Sequence, residues 1–189
     1  ARLGWTVPDV AAMAAALHGP LMICGFFGVV ISLERAVAIG RTWAYTGPLL
    51  AGLGTLAALA GALAIAPWLY LAGSLVLLAA TIDVFRRQTA LFTFTLTFGA
   101  LAWSAGSALW AIGTSVHAVV NWWLAFLILT IAGERLELSR FLPPSPVARR
   151  AFAVILAVIV AGLLGAQTSW GSPVFGAGLL ALSLWLLKQ

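Results

Sequence analysis

His18 and His117 are the residues whose type and setting most directly suggest chemistry, because each lies in a long apolar stretch. They are the only two histidines in the chain. Neutral imidazole is a good axial ligand for haem iron and a good ligand for copper or zinc. Ionisable groups inside a membrane are costly and usually functional. Two other roles stay open, namely a polar contact with a neighbouring carbonyl and the handling of a proton or substrate.

The spacing of these histidines places them at one depth. His18 precedes Glu34 by 16 residues, and His117 precedes Glu134 by 17. At a helical rise of 1.5 Å per residue these intervals span roughly 24–26 Å. Against a hydrocarbon core of about 30 Å, both histidines fall just inside the outer interface. The pattern predicts a b-type haem held by the two imidazoles, with copper as the alternative cofactor.

Three neighbouring residues are predicted to help bind the cofactor. Met22 and Gly25 share the face of His18 at helical spacing, so Met22 offers a soft thioether and Gly25 leaves room for a flat ring. Asn121 shares a face with His117 and is predicted to orient it or to bond a ligand. A copper site made by His18 and Met22 alone is the single-helix alternative.

Each histidine-bearing helix ends in a Glu–Arg pair. At the ends of parallel helices, Glu34 can pair with Arg135, and Arg35 with Glu134. We interpret these residues as a packing clamp and a topology signal. Anchoring of a cofactor carboxylate or a lipid phosphate is the alternative.

The composition restricts the protein class. Hydrophobic residues make up 63% of the 189 residues and charged residues only 8%, whereas soluble domains carry roughly 25% charged residues. The lone cysteine, Cys24, excludes an internal disulfide framework and a Cys-cluster metal site. The net charge of +5 resides in short loops between apolar spans. It therefore indicates membrane topology and no nucleic-acid partner. No cleavable signal peptide is expected.

Seven apolar spans are predicted to position these residues. A membrane-crossing helix needs about 20 mostly apolar residues and satisfies its own backbone hydrogen bonds. Pro67 is predicted to end the second span. The fold class is therefore an all-α polytopic membrane bundle with about seven transmembrane helices. The predicted spans are 10–40, 47–66, 68–84, 89–112, 116–132, 148–165 and 173–187.

The basic residues predict an orientation. Nine of the ten Lys and Arg residues lie on one side of the predicted spans, and only Arg2 lies on the other. The positive-inside rule assigns the basic side to the cytoplasm. We therefore expect the N-terminus outside, the C-terminus in the cytoplasm, and a multi-pass protein of a bacterial inner membrane.

The chain also contains a short internal match. "ISLERAV" at Ile31 aligns with "IAGERLE" at Ile131. The first and fifth helices run in the same direction, so 10–87 and 114–189 are candidate parallel repeats joined by helix 89–112. Chance similarity between apolar helices is the alternative. In either case 1–189 is expected to form one transmembrane domain.

Other motifs carry less chemistry. Trp103, Trp122 and Trp123 are predicted to lie deeper than an interfacial aromatic belt, either as ordinary packing or as walls of a cofactor site. Cys24 is predicted to face away from His18. No phosphate-binding loop, nucleophilic triad or pair of catalytic carboxylates is evident, so a conventional hydrolase is not expected. Whether the protein is another kind of enzyme stays open.

The stretch "LHGPLMICGFFGVVISLERAVAIG", 17–40, resembles the NnrS-like group of bacterial membrane proteins, and "NWWLAFLILTIAGERLELSR", 121–140, resembles it more faintly. That group is associated with haem, copper and nitric-oxide stress. Its members usually have more helices than the seven predicted here. The resemblance implies that His18 and His117 are the ligand candidates.

These observations predict a membrane protein that carries a haem b or another metal centre near its outer face. It would transfer electrons or handle a small redox species, in contact with lipid and with other membrane subunits or further copies of itself. One alternative is a cofactor-free transporter or channel for a small solute. The other is a structural accessory subunit of a respiratory or photosynthetic complex that binds pigment or lipid.

Overall fold

The structure is a computed structural model that describes residues 16–138, 145–166 and 168–187. Within these ranges the chain is helical and contains no strand, so the predicted all-α class is confirmed. Its main helices are α1 (His18–Ile39), α2 (Thr46–Leu59), α3 (Ala66–Arg87), α4 (Leu91–Ala111), α5 (Val116–Leu138), α6 (Pro146–Leu164) and α7 (Gly171–Leu186).

Five of these helices, α1, α3, α4, α5 and α6, are long and apolar enough to cross a membrane. Helices α2 and α7 have 14 and 16 residues and are shorter than a typical span. Many large apolar side chains on the helices are exposed at the surface of the bundle. Such a surface suits contact with lipid tails, where exposed apolar area is not penalised.

Helix α1 contains a wide turn. Its residues Leu21–Phe27 are π-helical, and the regular α-helix resumes at Gly28. The wide turn begins directly after Pro20, whose missing N–H interrupts the ladder of backbone hydrogen bonds. The predicted span began at residue 10, and residues 10–15 lie outside the described ranges.

The end of α2 corrects one prediction. The helix was expected to continue to Ala66 and to stop because of Pro67, but it ends at Leu59. Gly61 adopts a left-handed φ of 78°, and the N–H of Ala62 bonds back to the carbonyl of Ala57. This arrangement is a glycine-based helix stop. Pro67 instead lies in the first turn of α3, where its fixed φ favours helix initiation.

Small residues allow α2 and α3 to approach closely. A Cβ atom placed on Gly73 would lie 3.0 Å from the carbonyl oxygen of Gly47 and 3.1 Å from the amide nitrogen of Ala51. Close backbone approach through small residues is typical of helix pairs in membranes. The pair therefore packs by shape, with little polar contact.

Helices α4 and α5 form an antiparallel hairpin at the centre of the fold. Residues of this hairpin take part in two buried apolar clusters. One cluster joins them to α1, α2 and α3, around Trp103, Trp123 and Tyr70. The other joins them to α6 and α7, around Phe152 and Leu129. The hairpin thus connects the two halves of the bundle.

The lengths of corresponding helices bear on the predicted repeat. Helices α1 and α5 have 22 and 23 residues. However, α2 has 14 residues against 19 in α6, and α3 has 22 against 16 in α7. The repeat therefore stays a prediction, with matched lengths only in its first helix.

Candidate metal site at one end of the bundle

The two histidines lie in the first turns of α1 and α5. The Cα atoms of His18–Pro20 come within 8 Å of Cα atoms of α5. Beside this contact, Leu17 and Val119 are buried in one apolar cluster. Both histidine side chains are themselves exposed. The helices therefore touch through apolar residues, and the imidazoles lie outside that contact.

An ion pair at the opposite end of the bundle sets the register of these helices. Arg35 Nη2 lies 3.2 Å from Glu134 Oε1. His18 precedes Arg35 by 17 residues, and His117 precedes Glu134 by 17. In two parallel helices that are paired at one end, residues at equal sequence distances from the paired residues lie at similar heights. The geometry therefore brings the two histidines to the same end of the bundle and to similar depth.

The imidazoles are not engaged by the rest of the described chain. Among residues 16–138, 145–166 and 168–187, no hydrogen bond or ion pair involves the His18 or His117 side chain. The same ranges contain no group of three or more His, Cys, Asp or Glu residues that could hold a metal ion. A metal at this end would therefore rely on two imidazoles and on ligands of other types.

Met22 can supply such a ligand. It follows His18 by four residues, and its side chain is 40% exposed. Residues four apart on a helix share a face. The thioether of Met22 and the imidazole of His18 are thus both accessible on α1, one turn apart.

Gly25 faces another helix. It is buried, and a Cβ atom placed on it would lie 2.7 Å from Thr55 Oγ1 and 3.3 Å from the Tyr70 hydroxyl. The Tyr70 hydroxyl donates a hydrogen bond of 3.1 Å to Thr55 Oγ1. These side chains of α2 and α3 lie directly against Gly25, which also lines an apolar groove between α1 and α2. Its predicted role in admitting a flat ring stays a prediction.

Asn121 also contacts a different partner from the one expected. Its Nδ2 donates a hydrogen bond of 3.4 Å to Ser172 Oγ, which belongs to α7. The contact links the central hairpin to the last helix. The described contacts of Asn121 are therefore structural, and they do not include His117.

The two predicted Glu–Arg cross-pairs differ in outcome. The Arg35–Glu134 contact is present, with the two side chains 10% and 39% exposed. In the described part of the chain, Glu34 and Arg135 form no ion pair. On α3, Arg87 Nη2 pairs with Asp83 Oδ2 at 2.6 Å within one helix. One interhelical clamp therefore joins α1 to α5.

The close contact of α1 with α5 bears on how a cofactor would be held. Cα atoms of the first turn of α1 come within 8 Å of Cα atoms of α5, so little room is left between the two backbones at that contact. Both imidazoles are exposed beside it and are accessible to a ligand at the outer end of the helix pair.

Sequence reasoning missed a polar cluster inside the bundle. Cys24, Trp103 and Trp123 are fully buried, and so is Ser107. The burial of Cys24 agrees with its predicted position away from His18. Spacing offered one signal for the cluster, because Trp103 and Ser107 are four residues apart and so share one face of α4.

Comparisons with known proteins identify the family of the chain. Residues 1–189 match the family model described as Domain of unknown function (DUF8744), and the chain belongs to that family. No curated protein matches it, and no solved structure matches it.

Proposed function

We propose that this member of the DUF8744 family is a membrane protein that binds a redox metal at the outer end of its bundle through His18 and His117. The observation that carries the proposal is that the parallel helices α1 and α5, joined by Arg35 and Glu134, each begin with an exposed histidine. Two free imidazoles at one height are a donor set that transition metals accept. The bound metal would serve electron transfer or the handling of a small redox species.

The donor types favour copper. Imidazole suits copper and zinc, and a thioether selects Cu(I) among them. His18 and Met22 on α1, together with His117 on α5, supply two nitrogens and one sulfur. A thioether is a poor ligand for zinc, so the sulfur of Met22 is the donor that favours copper over zinc. The protein itself would contribute the register of the two helices and the low dielectric of the bilayer.

Haem b is the second candidate cofactor, because of the NnrS-like resemblance of 17–40. His18 and His117 would be its ligands, one from each helix. An ion has more support, because two exposed imidazoles and the exposed Met22 can hold it without an enclosing pocket.

The orientation is part of the proposal. Arg35 lies at the end of the bundle opposite the histidines, and Arg149 and Arg150 lie in the first turns of α6. The positive-inside rule places that end in the cytoplasm of a bacterial inner membrane. The histidines then face the outside, where an external metal or redox partner reaches them.

A structural accessory role is the second candidate function. An apolar groove of about 690 Å³ lies between α1 and α2, lined by residues such as Phe26, Leu49 and Leu53. A pigment or lipid tail of a larger membrane complex would fill such a groove. In that case the protein would act by packing with other subunits, and the histidines would carry no metal.

Metal analysis and absorption spectroscopy of the purified protein test the proposal. After loading with Cu(I) and desalting, we expect about one copper per chain, with none retained by His18→Ala or His117→Ala. Thr114→Ala, beside α5 at the same end, is the matched control and should retain copper. A Soret band that is lost in both histidine variants would identify the cofactor as haem and not copper. A purified protein that binds neither metal nor haem would contradict both the copper and the haem proposal. That result would favour the structural accessory role.

A further inference from the structure

The interior of the bundle contains three hydrogen-bond donors without a partner. These are Trp103 Nε1, Ser107 Oγ and Trp123 Nε1, none of which meets an acceptor among the described residues. All three side chains are 0% exposed. A buried donor without an acceptor is unfavourable in an apolar medium, because it has lost its hydrogen bonds to water. The usual explanation for such a group is an ordered water or ion bound to it.

The three donors converge on one place. Trp103 and Ser107 share a face of α4, with Gly106 between them. A Cβ atom placed on Gly106 would lie 2.8 Å from Trp123 Nε1, so the indole of α5 reaches the same face. The donors of two helices thus point into the junction between α4, α5 and α1.

Helix α1 closes the junction with its wide turn. The sulfur of Cys24 lies against Trp103 and Ser107, but a thiol is only a weak acceptor, and neither group reaches it with hydrogen-bond geometry. A Cβ atom placed on Gly28 would lie 2.6 Å from the Trp103 ring. The π-helical segment runs from Leu21 to Phe27 and ends directly before Gly28. The polar groups of α4 and α5 therefore meet α1 where its hydrogen-bond pattern changes.

We propose that the junction of α1, α4 and α5 is a binding site for water, in which an internal water molecule accepts from the indole N–H groups of Trp103 and Trp123 and donates to Ser107 Oγ. A buried water needs two to four polar partners, and these side chains supply three. A neutral oxygen fits better than an anion, because all three partners are uncharged. The site is independent of the histidines and does not rest on the proposed metal.

Water-edited solid-state NMR of the full chain in lipid nanodiscs tests this site. With ¹⁵N-labelled tryptophan, magnetisation transferred from water should reach the indole N–H of Trp103 and Trp123 several times faster than that of Trp185. Trp185 is the internal control, because its Nε1 donates to the carbonyl of Ala148 at 3.0 Å. Assignment uses the Trp→Phe variants. Transfer to Trp103 and Trp123 no faster than to Trp185 would overturn the proposal.

A pair of serine variants gives a second readout. Ser107→Ala removes a partner of the water, so we expect a lower melting temperature and slower water transfer to Trp103. Ser104→Ala is the matched control, because Ser104 Oγ is buried on the same helix and donates to the carbonyl of Ala100 at 3.0 Å. In a dry junction, Ser107→Ala would delete an unsatisfied hydroxyl and raise the melting temperature, which would contradict the proposal.

Discussion

The guanidinium of Arg35 and the carboxylate of Glu134 lie 3.2 Å apart at the end of the bundle opposite the two histidines. The Arg35 side chain is 10% exposed, so the contact is shielded from water more than a surface ion pair. It fixes the relative height of α1 and α5. The same register brings His18 and His117 to similar depth.

Arg35→Ala tests this clamp. We expect a loss of folding free energy on the order of 1–3 kcal/mol, because Glu134 is left partly buried without its donor. Thermal unfolding in detergent, followed by circular dichroism, measures the loss. Arg87→Ala is the control, since its exposed pair with Asp83 within one helix contributes about 0.5 kcal/mol or less. Equal losses for the two variants would contradict a special role for the Arg35 contact.

Gly25→Ala tests whether the space beside Gly25 serves packing or a cofactor. The added Cβ atom would meet Thr55 Oγ1 at 2.7 Å, so we expect a destabilisation of about 1–3 kcal/mol from overpacking. Copper binding should be unchanged. Gly52→Ala on the facing helix is the control, because its added Cβ atom meets only Val29, at 4.0 Å. A loss of copper in a stable Gly25→Ala protein would show that this space belongs to the metal site.

Gly113→Ala tests the turn between α4 and α5. Gly113 has a φ of 98°, a region that costs an L-residue roughly 1–2 kcal/mol. We expect the melting temperature to fall. Gly176→Ala in α7 is the matched control, since nothing lies within 4 Å of its added Cβ atom and alanine favours a helix by about 1 kcal/mol. A fall in melting temperature for Gly176→Ala alone would be the opposite of this expectation.

Asn121→Ala separates a structural from a ligand-orienting role. The hydrogen bond to Ser172 is long, at 3.4 Å, so its loss should cost no more than about 1 kcal/mol. Chelator competition should give the same copper affinity as the unmodified chain. A clearly weaker affinity, with stability intact, would restore the predicted orienting role toward His117.

Much of the fold could be predicted because apolar length and turn residues are local signals. The helical segments follow from runs of apolar residues, and most of their boundaries are close to those expected. The predicted end of α2 is too late, because a proline can either end or begin a helix and Pro67 begins α3. The helix stops earlier through the left-handed conformation of Gly61, which a single glycine in an apolar run does not by itself indicate.

The contacts between helices were harder to predict. The Arg35–Glu134 pair was anticipated because two Glu–Arg motifs end parallel helices. However, the partners of Gly25 and Asn121 depend on which helices lie beside α1 and α5, and helical periodicity alone does not specify a neighbour. The buried donors of Trp103, Trp123 and Ser107 were missed for the same reason, since burial of a polar atom depends on three helices at once.

The central claim is that one metal ion bridges His18 and His117. Its most direct test is the Cu(I) affinity of the unmodified chain, His18→Ala, His117→Ala and the double variant, measured by competition with a chromophoric chelator in detergent. We predict that each single change weakens binding by more than roughly 10–100-fold, the usual effect of losing an outer-shell group. The double change should add little, because one ligand alone does not retain the ion. Independent, additive losses, or an affinity unaffected by either change, would contradict the claim.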